Sequence, residues 1–429
     1  MKRSYAAEVI QSDLKKVLVK GWVHNINCIG KVAFVQLRDR TGIIQIVAEG
    51  QAVRDLRLEM SIEAIGEKVI NDKAPSGTEI HAESIKIAGK AYYDMLPFEI
   101  NKGWIKASME TQLDYRTISM RSPRIRAVFK VQQEIEEAFK NYLRENGFSQ
   151  IHSPKIISSS TEGGSEMFTV DFFGRRAFLA QSPQFYKQMM VGAGFERVFE
   201  VGHAYRAELH NTWRHLSEYV SLDVEMGFID GADDLMDLEE GYINYLFAHL
   251  KSTCGKELEL YGIDLPDEVK IPRIPLGEVH EILLDKFGKR SPAGNIDAEG
   301  EKMFSDYVKQ TYGSDFVFLT KYPVTKRPMY AMPDSEDHDL TESFDLIYKG
   351  LEITTGGQRI HDYEMLRRNI IKFGLDPDGF TFYLDSFKYG MPPHGGFAIG
   401  LERLTMKILG LSNIREATMF PRDIKRLEP

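Results

Sequence analysis

Several short stretches of the 429-residue chain carry side chains whose types and spacing suit phosphate chemistry. In Tyr205-Arg-Ala-Glu208 the arginine and the glutamate are two residues apart, so on a strand both face one side. An arginine so placed can clamp a phosphate, because its planar fork matches phosphate oxygens. The polar stretch Leu209–Trp213 leads to Arg214 and His215, a loop able to close on outer phosphates, and Tyr219 offers a ring on which a base can stack. Asp345 and Glu352 lie seven apart on what read as adjoining strands. Paired carboxylates there suit Mg²⁺, which takes oxygen ligands shared with substrate phosphates. Near the C-terminus, Gly400-Leu-Glu-Arg403 sets a glycine that admits close backbone approach three residues before another arginine. An isolated Arg-x-Glu is usually a surface ion pair and an isolated Gly-x-Glu-Arg a helix start; their joint occurrence in order points to a nucleotide site. No GxGxxG follows a first strand and no GxxxxGK[ST] occurs, so a nucleotide here uses neither a Rossmann nor a Walker-type loop.

These residues need elements to hold them. Residues 1–97 read as all-β. Val17–Val23, Lys31–Arg38, Ile43–Val47, Glu67–Ile70 and Glu79–Ile87 have strand chemistry, with turns at Asp39–Gly42 and Ala74–Gly77. Five short strands in under 100 residues suggest a small barrel, an OB fold or another small β domain such as an SH3-like one. Residues 98–124 carry little periodicity and read as a hinge. From 125 onward Ile125, Val128, Val131, Ile135, Phe139 and Leu143 recur at helical spacing, with Gly147 where a C-cap glycine belongs. A strand at Phe148–His152 stops before Pro154. The rest, 125–429 with an insertion at about 230–335, mixes helices and strands without regular βαβ units. The fold class is therefore α+β.

Bulk properties set limits. Hydrophobic residues make up 43% and charged ones 27%, an ordinary globular profile. No apolar run approaches the roughly 20 residues that cross a bilayer, and the N-terminus does not read as a signal peptide. The two cysteines, Cys28 and Cys254, form no CxxC pair, which fits a reducing cytoplasm. With a net charge of −9, any nucleic-acid binding must use local patches.

Three segments taken together, Phe148–Pro154 behind its long helix, Tyr205–Glu225 and Gly395–Arg403, resemble motifs 1, 2 and 3 of the class II aminoacyl-tRNA synthetases in the right order. With the barrel ahead of them, the chain resembles subclass IIb, and within it the shorter archaeal and eukaryotic type of aspartyl-tRNA synthetase. The resemblance covers nearly the whole chain. It implies an N-terminal five-stranded OB barrel that binds the anticodon, and a catalytic domain built on an antiparallel sheet flanked by helices. It implies ATP as substrate, Mg²⁺ as cofactor, and a homodimer. Arg206 and Arg403 would be the catalytic arginines, at the α- and γ-phosphates. Glu208, Arg214, His215, Tyr219, Glu352 and Gly400 would complete the ATP site. Asp345, Glu352 and Thr355 would hold the metal.

The resemblance also implies an amino acid. Lys187, in Gln181–Gln188, matches the lysine of aspartyl enzymes, where asparaginyl siblings usually carry leucine; Arg359 matches the arginine that grips the side-chain carboxylate. Asp223 would orient Lys187, Gln184 and Glu162 would receive the α-amino end, and Thr355 would add a hydroxyl. Two fixed cations around one carboxylate favour aspartate over asparagine by on the order of 3–5 kcal/mol. In the barrel, Phe34 matches the aromatic that stacks on an anticodon base and Gln45 the glutamine that reads one. His24 and Pro75 stand where members restricted to tRNA-Asp tend to have tryptophan and lysine; here they resemble the relaxed members, which also charge tRNA-Asn. The alternatives are a synthetase restricted to tRNA-Asp, an asparaginyl enzyme, and a non-catalytic OB-fold paralogue.

Overall fold

The structure, a computed structural model, describes residues 1–159, 167–209 and 212–429. Glu162 lies outside the described residues. The described chain divides into two compact units, Met1–Thr111 and Gln112–Pro429.

In the first unit, aliphatic residues alternate with polar ones, and each run becomes a strand with its aliphatic side inward. Lys16–Ile29, Val32–Arg38, Ile43–Glu49, Ser61–Ile70 and Thr78–Gly89 form a closed barrel. The first strand pairs with the second and the fourth, the third runs parallel to the fifth, and the fifth pairs with the fourth. Val19, Val35, Leu37, Ile46 and Ile62 fill its interior. This is the expected OB barrel. The helix Ala6–Gln11, which buries Ala6 and Val9, and a two-residue strand Arg3–Ser4 beside the first barrel strand carry too little periodicity to be read in advance. The fourth strand starts at Ser61, six residues before the expected start, because Ile62 and Ala64 already alternate inward with Ser61 and Glu63.

The second unit begins its core with the helix Pro123–Glu145. Proline at its first position loses only an N–H that has no helical acceptor anyway. At the other end Gly147 takes φ +81, the Phe148 N–H donates to Leu143 O at 2.9 Å and the Gly147 N–H to Arg144 O at 3.1 Å, which stops the helix. Its stripe of Val128, Val131, Ile135, Phe139 and Leu143 shares a core with Phe199, Leu222 and Val224 of the sheet.

That sheet has eight strands, in the order Arg273–Pro275, Phe316–Thr320, Ser343–Tyr348, Leu351–Arg359, His394–Gly400, Glu218–Gly227, Arg197–Tyr205 and Ser149–Gln150. The central pairings are antiparallel, as expected. The two edges are parallel, because each is reached by a crossover rather than a hairpin. The stretch 230–335, expected as an insertion, is woven into this unit. Its helix Ala232–Thr253 packs on Pro123–Glu145, with the Phe139 and Tyr242 rings edge to face at 5.2 Å, and it supplies two strands of the sheet.

Period-2 alternation then divides the central strands into two faces. Leu222, Val224, Phe397 and Ile399 point into the core. The other face carries Tyr219, Ser221, Asp223 and Glu225 on one strand, with Gly400, Ala398 and Gly396 opposite the last three and His394 next along its strand. Thr355 and Arg359 continue the same rows on the next strand. Four small residues, Ser221, Gly396, Ala398 and Gly400, make a low floor, so chemistry-bearing side chains stand around a space rather than filling it.

Candidate active site

Arg206, Glu208, Arg214, His215, Tyr219, Glu352, Gly400 and Arg403, the whole set expected at ATP, line one cleft of about 680 Å³, with Thr355 beside them. The strand Arg197–Tyr205 ends one residue short of Arg206, so Arg206-Ala-Glu208 is not itself strand. One further ladder bond, Arg206 N–H to Ser217 O at 2.9 Å, still aims both side chains into the cleft. There Arg206 Nη1 lies 3.6 Å from Glu208 Oε1, and its guanidinium sits 5.8 Å from the Tyr219 ring centroid. His215 Nε2 is 3.7 Å from Glu208 Oε2, and its Nδ1 is 2.6 Å from Thr212 Oγ1. Arg403 Nη1 donates to the Glu352 carbonyl at 2.9 Å and lies 3.3 Å from the Glu352 carboxylate. Three arginines and an aromatic ring lining one cleft suit a nucleoside triphosphate.

Farther along the same sheet face is a buried charged cluster. Lys187, on the helix Gln184–Met190, donates to Asp223 Oδ1 at 3.1 Å and to Val224 O at 3.3 Å. Its Nζ is also 3.4 Å from Glu225 Oε2. Arg359 Nε donates to Glu225 Oε1 at 3.1 Å, and Nη2 to Gly396 O at 2.9 Å. Glu225 is fully buried between the two cations. Burial alone would raise its pKa, but Arg359 and Lys187 outweigh that and hold it below the usual carboxylate value. The expected picture of two cations awaiting one carboxylate is therefore corrected: Glu225 already supplies a counter-charge. Gln184 is buried in the same place, and its Nε2 has no hydrogen-bond partner among the described residues.

Sequence reasoning missed Glu225, though Asp223-Val-Glu225 has the same two-residue spacing that drew attention to Arg206 and Glu208. It also missed Gly396. A Cβ there would fall 2.0 Å from Val224 O and 2.3 Å from Glu225 Oε2, so only glycine admits the carboxylate. His394 and Gln188 were missed as well. His394 Nδ1 is 2.9 Å from Pro392 O, and Nε2 is 3.1 Å from the Gln188 amide oxygen. Burial pulls its pKa down to about 4, so the imidazole is neutral at pH 7.

The expected metal ligands are near one another but unequally exposed. Glu352 and Thr355 line the cleft, and Asp345 sits opposite Thr355 in the ladder, buried. Arg327 Nη2 is 2.8 Å from Asp345 Oδ1, yet that oxygen has no aligned hydrogen bond. Burial raises the Asp345 pKa, Arg327 opposes this and Glu352 adds to it. Among the described residues no three His, Cys, Asp or Glu side chains form a cation cage. The donor set is still one that fits Mg²⁺, which takes one or two carboxylates and completes its shell with phosphate and water.

In the barrel unit, Phe34 and Gln45 lie on outward-facing positions, while Ala33, Val35, Ile44 and Ile46 face the core. Phe34 is thus not a core aromatic. Gln45 Nε2 donates to Glu79 Oε2 at 2.9 Å, which fixes the amide. His24 does not share that surface. A bulge between Val23 and Asn25 turns it inward, where Nδ1 meets Arg38 Nη1 at 2.8 Å and Arg38 pairs with Glu59 at 2.6 Å. Burial and then Arg38 lower its pKa, so it is neutral. Pro75 is exposed in the turn before Thr78–Gly89.

Among the described residues no helix is long and apolar enough to cross a membrane. Residues 17–88 match a family of OB-fold nucleic acid binding domains, and residues 108–424 match the class II tRNA synthetases (D, K and N). The chain is 46% identical to the aspartate–tRNA(Asp/Asn) ligase of Deinococcus radiodurans, covering 100% of this chain and 99% of that protein. It is 41% identical to the aspartate–tRNA(Asp) ligase of Pyrococcus abyssi over the full length of both. Among solved structures, the asparaginyl-tRNA synthetase of Pyrococcus horikoshii bound to asparaginyl-adenylate superposes with a TM-score of 0.93 over 100% of both chains, at 31% identity.

Proposed function

The chain belongs to the class II tRNA synthetases of the D, K and N group, and on that premise we propose that it activates L-aspartate with ATP and charges both tRNA-Asp and tRNA-Asn. The observation that carries this reading is a single sheet face with a phosphate-suited cleft at one end and the Lys187–Glu225–Arg359 cluster at the other. Such a face lets an amino-acid carboxylate meet an α-phosphorus without either substrate crossing a barrier.

In this reading Tyr219 stacks on adenine and Glu208 accepts from its amino group. Arg206 holds the α-phosphate while the aspartate α-carboxylate attacks phosphorus and pyrophosphate leaves. Arg214, His215 and Arg403 take the outer phosphates. Mg²⁺, held by Glu352, Thr355 and Asp345, would neutralise charge on the departing phosphates. Lys187 and Arg359 take the side-chain carboxylate, Asp223 orients Lys187, and Gln184 with Glu162 receives the α-ammonium group. The terminal 3′-hydroxyl of the tRNA then attacks the adenylate carbonyl and AMP leaves. No side chain need act as a strong acid or base; positioning and charge neutralisation do the work.

For tRNA, Phe34 stacks on a splayed anticodon base and Gln45, fixed by Glu79, reads one. Pro75, exposed in its turn and without a side-chain donor, supports the relaxed choice, whereas His24, turned inward onto Arg38, bears on it only through that buried contact. An asparaginyl enzyme is disfavoured by Lys187. Charging of separate tRNA-Asp and tRNA-Asn transcripts tests the dual reading against one restricted to tRNA-Asp. The two free cysteines accord with a cytoplasmic setting.

We further infer a homodimer, built on the helix Pro123–Glu145 and the strand after it, by a two-fold contact that uses one patch twice. Light scattering at micromolar concentration should read twice the 49.0 kDa of one chain. An active particle of single-chain mass would refute the dimer.

A further inference from the structure

The Arg214 guanidinium, expected to close on the outer phosphates, is gripped from outside the three motif segments. Its Nη1 lies 3.1 Å from both Oε1 and Oε2 of Glu301. Glu301 stands in the first turn of the helix Ala298–Tyr312 with only 6% of its side chain exposed. Its Oε2 also takes the Glu352 N–H at 3.4 Å. One buried carboxylate therefore ties the loop that carries Arg214 to the strand that carries Glu352.

We propose that Glu301 is a positioning residue for ATP, holding Arg214 against the phosphate end of the cleft. This rests on the reading that Arg214 meets the phosphates. Arginine has five N–H donors in a fixed fork. Nη1 is occupied by both Glu301 oxygens, which leaves the other donors of a side chain that lines the cleft for a ligand there. An arginine on a loop would otherwise lose its rotamer freedom at the moment of binding. The negative charge of Glu301 works the other way, since it repels a nearby triphosphate. A double-mutant cycle separates the two effects.

The experiment compares wild-type protein, Glu301→Gln, Arg214→Ala and the double variant. It reads ATP affinity by calorimetry and KM for ATP and aspartate by pyrophosphate exchange. Glu301→Gln should weaken ATP binding about tenfold and leave KM for aspartate within about twofold. In the Arg214→Ala background the same change should weaken ATP no further, or tighten it slightly. An equal loss in both backgrounds, or no loss in the wild-type background, overturns the proposal. If Arg214→Ala alone leaves ATP affinity unchanged, it is the phosphate reading of Arg214 that fails. Should Glu301→Gln not fold, Glu301→Asp, which keeps the charge but withdraws it by one methylene, carries the same cycle.

Discussion

Replacing Lys187 with leucine is expected to lower aspartate-dependent pyrophosphate exchange by at least about a thousandfold, or ~4 kcal/mol of transition-state stabilisation. Lys187 is 2% exposed and touches Asp223, Glu225 and the Val224 carbonyl. With Lys187 and Arg359 against Asp223 and Glu225, the cluster is balanced before substrate arrives. Leucine would leave two buried carboxylates facing one arginine. The aspartate side chain would then enter a site of its own sign, and losing one partner of a buried ion pair costs roughly 3–5 kcal/mol by itself. Part of that cost falls on folding, so ATP affinity must be measured alongside as a check on the native cleft. Preserved ATP binding with lost aspartate activation is the expected pattern. Near-wild-type exchange would show that Lys187 does not contact the substrate.

Glu352→Ala is expected to suppress adenylate formation by a thousandfold or more, while tRNA binding changes little. Glu352 lines the cleft, its carbonyl accepts from Arg403 and its carboxylate lies 3.3 Å from that arginine. Alanine keeps the carbonyl contact and removes the charge, so the backbone cradle of Arg403 survives. What is lost is the exposed carboxylate of the oxygen set formed with Thr355 and Asp345. Asp345 cannot take over readily, because it is buried against Arg327. Single-turnover adenylate formation at ordinary magnesium reads this directly, with filter binding of tRNA in parallel. Retained activation would remove Glu352 from the phosphate chemistry.

Much of this site was legible because strands report themselves twice, by composition and by period. The aliphatic alternation of Val17–Val23 and Ile43–Val47 located the barrel, whereas Arg206 and Glu208 share the cleft although the strand before them ends at Tyr205. The period-2 rule was available at Asp223-Val-Glu225 and would have exposed the cluster's counter-charge. Glu301 was not legible: it sits on an amphipathic helix where an acidic first turn is the ordinary pattern, and only the crossover that returns this helix to the sheet brings it to Arg214. Arg327 was hidden likewise, by a long-range meeting with Asp345. The inward turn of His24 was hidden for a local reason, since one bulge reverses the face of a strand residue without any mark in composition. Its inward turn also means that a tryptophan at 24 would lose the contact His24 makes with Arg38.

Dual charging turns on one position, because the two tRNAs differ in their anticodons only at the last base. A tenfold preference needs only about 1.4 kcal/mol, the worth of one good contact. The barrel offers Phe34 and a fixed Gln45 on its outer surface, with His24 turned inward and Pro75 lacking any side-chain donor. Steady-state kcat/KM for aspartylation of separate tRNA-Asp and tRNA-Asn transcripts by the wild-type protein is the decisive measurement. The two values are expected to lie within about a hundredfold, or ~2.7 kcal/mol, of each other. A larger preference for tRNA-Asp would mean an enzyme restricted to that tRNA and would contradict dual charging.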